Sequence, residues 1–314
     1  MSGPLPQLRP DARAFLDLFN ATALAHLERL EPVEARRLKE LARTARHAQA
    51  NKLAVVRDIE IGCPALRMRF YDAQLRRGPG PLIVYYHGGG FVLGDLESHH
   101  DLCAAIAEGS DLPLLAVEYR LAPEHPWPAG PDDAEAAARW AAHSAGAAFC
   151  RNITALVLAG DSAGANLAAV TSMALRDRPA TVAVSAQVLM YPCTSSDEAT
   201  PSRTQFCENH LLTRDSLEWF YGHYKAPKGD PRGDLFAGEL AMMPPTVLVT
   251  AELDPLRDEG RRYAQALIGR GVAVNYREVA GNIHGCFSLL EAIPSTSPDL
   301  RRVLDALLHT LGRE

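Results

Sequence analysis

The stretch Ala155-Leu156-Val157-Leu158-Ala159-Gly160-Asp161-Ser162-Ala163-Gly164-Ala165-Asn166-Leu167 decides how the rest of the chain is read. Its first five residues form a short apolar run, and residues 163–176 carry a helical pattern, so a strand, a tight turn and a helix are predicted in succession. G-x-S-x-G at such a junction has a mechanical sense. The turn is strained, and small neighbours let the serine oxygen project from the edge of a sheet. By composition alone the pattern arises in about one chain in ten of this length, so its meaning rests on what surrounds it.

Working outward, short apolar runs at 82–86, 113–117, 182–190, 246–250 and 272–279 alternate with helical patterns at 98–108, 131–144, 257–270 and 298–311. Near-continuous apolar strands between helices predict an α/β fold, a mostly parallel, doubly wound sheet with helices on both faces. Upstream, residues 11–48 place Phe15, Leu18, Phe19, Leu38 and Leu41 at helical spacing, with Pro32 opening a second helix. Val55, Val56, Ile59 and Ile61, then Leu66, Met68 and Phe70, predict two antiparallel strands around a turn at 62–64. That makes eight strands. Residues 193–243 interrupt the rhythm with Phe206, Leu211, Leu212, Trp219, Phe220, Tyr221 and Tyr224, and are read as a partly apolar helical insertion between core strands.

A serine hydroxyl is a weak nucleophile until a base takes its proton. His284, in Gly281-Asn282-Ile283-His284-Gly285, falls in a loop after the run 272–279 and is the best candidate base. His99 and His100 open a helix, and His26 and His47 belong to the N-terminal helices, so each reads as a surface or capping residue. A base of this kind needs a carboxylate to fix its tautomer. Asp254 follows the run 246–250; Glu252 sits closer to the strand, and Asp258 belongs to the first helical turn, where the dipole accounts for it. The Gly88, Gly89 and Gly90 that follow His87 leave backbone N–H groups unobstructed, as an oxyanion hole requires. No G-K-[ST] follows them and the dinucleotide G-x-G-x-x-G is incomplete, so nucleotide readings fall away. Two parts of one mechanism on successive strand ends, where ligands of open α/β sheets bind, carry more weight than either alone.

These residues resemble the hormone-sensitive lipase family of carboxylesterases, of the microbial type. The resemblance covers nearly all of the chain after Pro81. It includes His87-Gly88-Gly89-Gly90-Phe91, Tyr119-Arg120-Leu121-Ala122-Pro123-Glu124-His125-Pro126-Trp127-Pro128-Ala129, the stretch from Gly160 to Leu167, Tyr191-Pro192, Asp254-Pro255-Leu256-Arg257-Asp258-Glu259-Gly260 and His284-Gly285. It implies an α/β-hydrolase fold in one domain, 1–314, with a helical cap made from about 1–48 and about 193–243. It also implies an oxyanion hole from the N–H groups of Gly89, Gly90 and Ala163, and a structural part for His87. Phe91, Leu211, Leu212, Trp219, Phe220 and Cys286 are the candidate substrate contacts. Ala165, Glu118 and Cys286 depart from the family pattern, where Gly, Asp and Phe are usual. Members often dimerise through the last strand and its neighbouring helix, which makes a homodimer an implied partner.

The expectation is therefore a serine carboxylesterase acting on short- to medium-chain acyl esters by acyl transfer, with no metal and no organic cofactor. A ligand-binding receptor on the same fold, as in the plant gibberellin receptors, is the alternative; the presence of His284 tells against it. A net charge of -6 and a pI near 6.0 argue against a nucleic-acid partner. The cluster Arg36, Arg37 and Lys39 reads as a solvated helix face. Six cysteines (Cys63, Cys103, Cys150, Cys193, Cys207 and Cys286) without ligand spacing read as free thiols in a reducing compartment. Residues 1–10 hold no apolar run of a signal peptide, and no stretch is long enough for a membrane span, so a soluble cytoplasmic protein is expected.

Overall fold

The computed structural model describes residues 7–44, 52–62, 65–195 and 199–313. Eight strands form one sheet: β1 (Val55–Ile61), β2 (Leu66–Asp72), β3 (Gly80–Tyr86), β4 (Leu114–Glu118), β5 (Ile153–Asp161), β6 (Val184–Met190), β7 (Thr246–Leu253) and β8 (Val274–Ile283). Their order is β1-β2-β4-β3-β5-β6-β7-β8, with β1, β2 and β4 paired antiparallel and every other pair parallel. The predicted turn at 62–64 lies partly outside the described residues, as do Cys63 and His47.

Alternation along the strands shows why both faces are covered. On β3, Leu82, Val84 and Tyr86 pack with one set of helices: α4 (Ala129–Phe149), α5 (Ala163–Asp177) and α8 (Arg257–Gly269). Ile83 and Tyr85 point the other way, onto α3 (His100–Ser110) and α9 (Ser297–Thr310). The same division holds on β5, where Leu156 and Leu158 part from Val157 and Ala159. Side chains of a strand alternate between faces, so a run apolar throughout must be buried on both. The first helix of this layer, α4, is longer than the expected 131–144, because its alanines continue to Phe149. Ala134, Ala137, Ala138 and Ala141 of α4 and Ala165, Ala168 and Ala169 of α5 are buried in the same cluster, small residues that let the two helices approach closely.

Over the C-terminal ends of the strands lie α1 (Pro10–Phe19), a 3-10 segment Ala23–Arg29 and α2 (Pro32–Thr44) from the N-terminal region, with α7 (Arg214–Tyr224) from the segment between β6 and β7; α6 (Pro201–Gln205) of that segment packs against α8. That segment is less helical than expected; turns and bends make up the rest of it. The 3-10 segment was not anticipated, since His26 breaks helical geometry within it. Two expected starts move inward, to Val184 and Val274, and β8 runs on to Ile283 instead of ending at 279. Its last pairing, Ile283 with Leu253, follows an irregularity that realigns the two strands. Among the described residues no helix is long and apolar enough to cross a membrane.

Candidate active site

The candidate catalytic groups all stand one residue past a strand. β5 ends at Asp161 and Ser162 follows; β7 ends at Leu253 and Asp254 follows; β8 ends at Ile283 and His284 follows. Because Leu253 and Ile283 are register partners, the next residue on each strand faces the other directly.

Ser162 has φ 54° and ψ −119°, a conformation that costs a side-chain-bearing residue of order 1–3 kcal/mol and survives only where the surroundings over-determine it. The surroundings do so. Ser162 N donates to Met190 O at 2.9 Å, and Ser162 O accepts from Ala165 N at 3.1 Å and Asn166 N at 3.2 Å. Gly164 lies so close to β3 that a Cβ there would collide with the carbonyl oxygen of Tyr86. The elbow therefore holds the serine hydroxyl out of the sheet's end.

Ser162 Oγ lies 2.8 Å from His284 Nε2, and His284 Nδ1 lies 2.8 Å from Asp254 Oδ2. The other carboxylate oxygen, Oδ1, accepts from Leu256 N at 2.8 Å, and Asp254 is fully buried. Burial pulls the His284 imidazole toward its neutral form. The Asp254 charge and hydrogen bond, with Asp161 and Glu259 behind them, outweigh it, so its pKa is raised above the ordinary imidazole value. Such a series can take a proton from a hydroxyl and return it to a leaving group. The competing carboxylates are engaged elsewhere: Glu252 accepts from Gly281 N at 2.7 Å, and Asp258 from Ser202 N at 2.9 Å.

The glycine loop leaves β3 beside this series. Gly88 N donates to Asp161 Oδ1 at 2.8 Å, so the expectation that Gly88 supplies an oxyanion donor does not hold; its N–H is occupied. Among the described residues the N–H groups of Gly89 and Gly90 carry no partner, and Ala163 N–H is the orphan donor at the start of α5. Gly90 has φ 61°, and a Cβ on it would strike the Phe220 ring. His87 lies beneath the loop, where its Nδ1 donates to Gly88 O at 2.8 Å. Burial, with His99 adding to it, drives its pKa down to about 4, so it stays neutral at pH 7.

A cavity of about 830 Å³ opens over these groups. Phe15, Phe19, Leu24 and Leu27 wall it from the N-terminal segment, and Leu211, Leu212, Leu217 and Phe220 from the insertion, with Phe91 between them. Arg36, Lys39, Glu118 and Glu124 add a polar part to the lining. Two expected contacts are not there. Trp219 turns off the lining face of α7 and donates to Leu30 O at 3.2 Å, and Cys286 is buried with Tyr191 and Phe287 under the sheet. Arg36 is no solvated charge: it donates to Val92 O, Ala122 O and both Glu124 oxygens, tying α2 to the loops after β3 and β4. His99 holds the N-cap position of α3, as expected of a capping residue, but its side chain makes no cap bond and is buried, its Nε2 3.4 Å from Asp161 Oδ1.

Asp161 and Tyr85 escaped the sequence reading. The signal was available, since an acid inside an otherwise apolar strand end needs partners when buried. Among the described residues no group of three His, Cys, Asp or Glu could hold a metal ion.

The sequence matches the α/β-hydrolase-fold family over residues 83–288. It is 38% identical over 247 residues to the carboxylic ester hydrolase LipN of Mycobacterium tuberculosis, covering 75% of this chain and 65% of that protein's length. It is 33% identical to the ethyl acetate hydrolase of Pseudomonas putida, covering 97% of this chain and 99% of the relative. The structure superposes on an ester hydrolase from the metagenome of Lake Arreo, solved with a bipyridine phosphonate derivative, with a TM-score of 0.89 and 33% identity over 98% of this chain and all of the other. With this fold, these relatives and this site geometry, the chain belongs to the α/β-hydrolase-fold family and is an ester hydrolase of the hormone-sensitive lipase type.

Proposed function

We propose that the chain is a serine carboxylesterase that cleaves short- to medium-chain acyl esters through Ser162, His284 and Asp254, by way of an acyl-enzyme intermediate. The observation that carries this reading is the unbroken hydrogen-bond series from Ser162 Oγ through His284 to Asp254. Ser162 Oγ attacks the ester carbonyl while His284 Nε2 takes its proton, and the carbonyl oxygen becomes an oxyanion held by the N–H groups of Gly89, Gly90 and Ala163. The protonated His284, stabilised by Asp254, gives its proton to the departing alcohol. Water then adds to the acyl carbonyl as His284 takes its proton, and His284 returns that proton to Ser162 Oγ as the acyl–serine bond breaks and the acid leaves.

The helices of the N-terminal segment and of 193–243 act as a cap over the α/β domain, because both supply the apolar wall of the cavity. A space of about 830 Å³ is ample for a short ester and leaves room for a medium chain. The name of the Pseudomonas relative, an ethyl acetate hydrolase, favours small acyl groups. The free thiols Cys103, Cys150, Cys193, Cys207 and Cys286 favour a reducing, cytoplasmic setting.

The test is release of p-nitrophenol from acetyl, butyryl, octanoyl and palmitoyl esters by the wild type and by Ser162→Ala. Turnover that declines beyond octanoyl and is lost in the variant supports the reading. Equal rates in the two proteins overturn it.

A further inference from the structure

We propose that Asp161 is a positioning residue: its carboxylate clasps the oxyanion loop to the nucleophile elbow and so sets the distance between Ser162 and the N–H donors. The proposal rests on the triad reading above and adds to it a group that does not touch substrate.

The clasp follows from the sheet. β3 and β5 are parallel neighbours with Tyr86 opposite Gly160, so His87 and Asp161 come level at the strand ends. From there a carboxylate on one methylene reaches across the ladder. Asp161 Oδ1 accepts from Gly88 N at 2.8 Å and from the Tyr85 hydroxyl at 2.6 Å, and faces His99 Nε2 at 3.4 Å. The contact is tight, since a Cβ on Gly88 would collide with Asp161 Oδ2. Asp161 is 2% exposed, yet its carboxyl pKa is lowered: burial raises it, and His99, Tyr85 and Gly88 more than offset that. The group is thus an anion at neutral pH, held by hydrogen bonds that are stronger for being charge-assisted.

The loop is pinned at consecutive atoms. Tyr119 Oη donates to His87 O at 2.8 Å, Gly88 N is taken by Asp161, and Gly88 O is taken by His87 Nδ1. The first peptide groups of the loop are satisfied inward, and Gly89 N–H and Gly90 N–H are the next in line for a ligand. Asp161 is also bonded in sequence to Ser162. One side chain therefore links the donor loop to the nucleophile, where packing alone would leave the loop free to drift. A misplacement of about 1 Å can cost on the order of a hundredfold in rate.

A buried carboxylate that serves only the fold would lower stability when replaced and leave the working site unchanged. A positioning residue makes a different mark. Loss of transition-state stabilisation lowers turnover and weakens tetrahedral analogues in proportion, with little change in ground-state binding.

The experiment measures kcat and KM for p-nitrophenyl butyrate, and the inhibition constant of an alkyl trifluoromethyl ketone, for wild type, Asp161→Asn and Tyr85→Phe. The ketone adds to the serine to form a tetrahedral oxyanion. For Asp161→Asn the expected result is a fall in kcat of about 10- to 100-fold, a matching loss of ketone affinity, and a KM within about twofold of wild type. Tyr85→Phe, which keeps the carboxylate and removes one donor, should show the same proportional pattern at about three- to tenfold, and serves if the first variant does not fold. Turnover and ketone affinity unchanged in Tyr85→Phe, or in a folded Asp161→Asn, overturn the proposal alone. A wild type that hydrolyses the ester without binding the ketone overturns the triad reading, and the clasp with it.

Discussion

The strand ends and the segments that wall the cavity hold their side chains in different ways. At the strand ends each reacting group is placed by a β ladder and then by hydrogen bonds of 2.8 or 2.9 Å: Ser162 N to Met190 O, Ser162 Oγ to His284, His284 to Asp254, and Asp254 to Leu256 N. The walling segments are placed by a few long side chains. Arg36 binds Glu124 and two carbonyls, Arg203 binds Glu259, and Trp219 binds Leu30 O, while the lining itself is apolar packing by Phe15, Leu217 and Phe220. On the proposed reading, the catalytic groups are held by several bonds each and the cavity wall chiefly by apolar packing. Substitutions at the strand ends should remove activity outright, and substitutions in the cap should redistribute it.

The largest effect is expected at the series itself. Ser162→Ala or His284→Ala should cost on the order of 10⁶ in kcat, and Asp254→Asn about 10⁴, all in folded protein by circular dichroism. The Asp254 variant also carries a pH signature. His284 works as a base only when neutral, and its pKa is raised chiefly because the Asp254 charge overcomes burial. The acid limb of wild-type kcat/KM should therefore lie above the ordinary imidazole value of about 6.5. In Asp254→Asn the residual activity should show that limb moved to lower pH. A limb that stays in place would separate Asp254 from the base.

Next in size is the place where the two regions touch. Gly90→Ala puts a methyl group into the Phe220 ring at a φ of 61°, and should displace the loop at a cost of about a hundredfold in kcat. Gly90→Ala with Phe220→Ala should recover part of that loss; no recovery would show that the backbone conformation alone is responsible. A smaller effect on activity is expected from Arg203→Ala. It leaves the fully buried Glu259 carboxylate without its guanidinium and should cost roughly 3 kcal/mol in urea unfolding. A loss under about 1 kcal/mol would mean that the pair does little to hold the insertion on α8. The smallest shift belongs to Phe220→Ala alone. It should move the preferred acyl length upward while keeping acetyl ester turnover within about threefold, since it enlarges the wall without touching the series.

What the sequence made legible follows the same division. The meeting of Ser162, Asp254 and His284 could be read because apolar runs mark strands, and the open end of a parallel sheet collects whatever polar residue comes next. The eight strands were legible for the same reason. Side-chain direction was not. Leu217, Phe220 and Tyr221 share the lining face of α7 at i, i+3 and i+4, and Trp219, two residues past Leu217 and roughly 200° around the axis from it, falls outside that face. Cys286 opens a 3-10 turn in which Gly285, Ser288 and Leu289 face the cavity and the thiol faces the core. Gly88 is equivalent to its two neighbours in sequence, and only the register of β3 with β5 brings Asp161 to its N–H. Arg36 read as solvent-facing because its carbonyl partners, at Val92 and Ala122, are far off in sequence.

The central claim is that one serine at the end of β5 is the nucleophile, activated by His284. The direct measurement is treatment with an alkyl fluorophosphonate followed by intact-mass and peptide mass spectrometry, for wild type and His284→Ala. The account predicts one adduct per chain, on the peptide that contains Ser162, formed in step with loss of esterase activity and slowed by several orders of magnitude in the histidine variant. An adduct on another residue, or full esterase activity in protein labelled at Ser162, would contradict it.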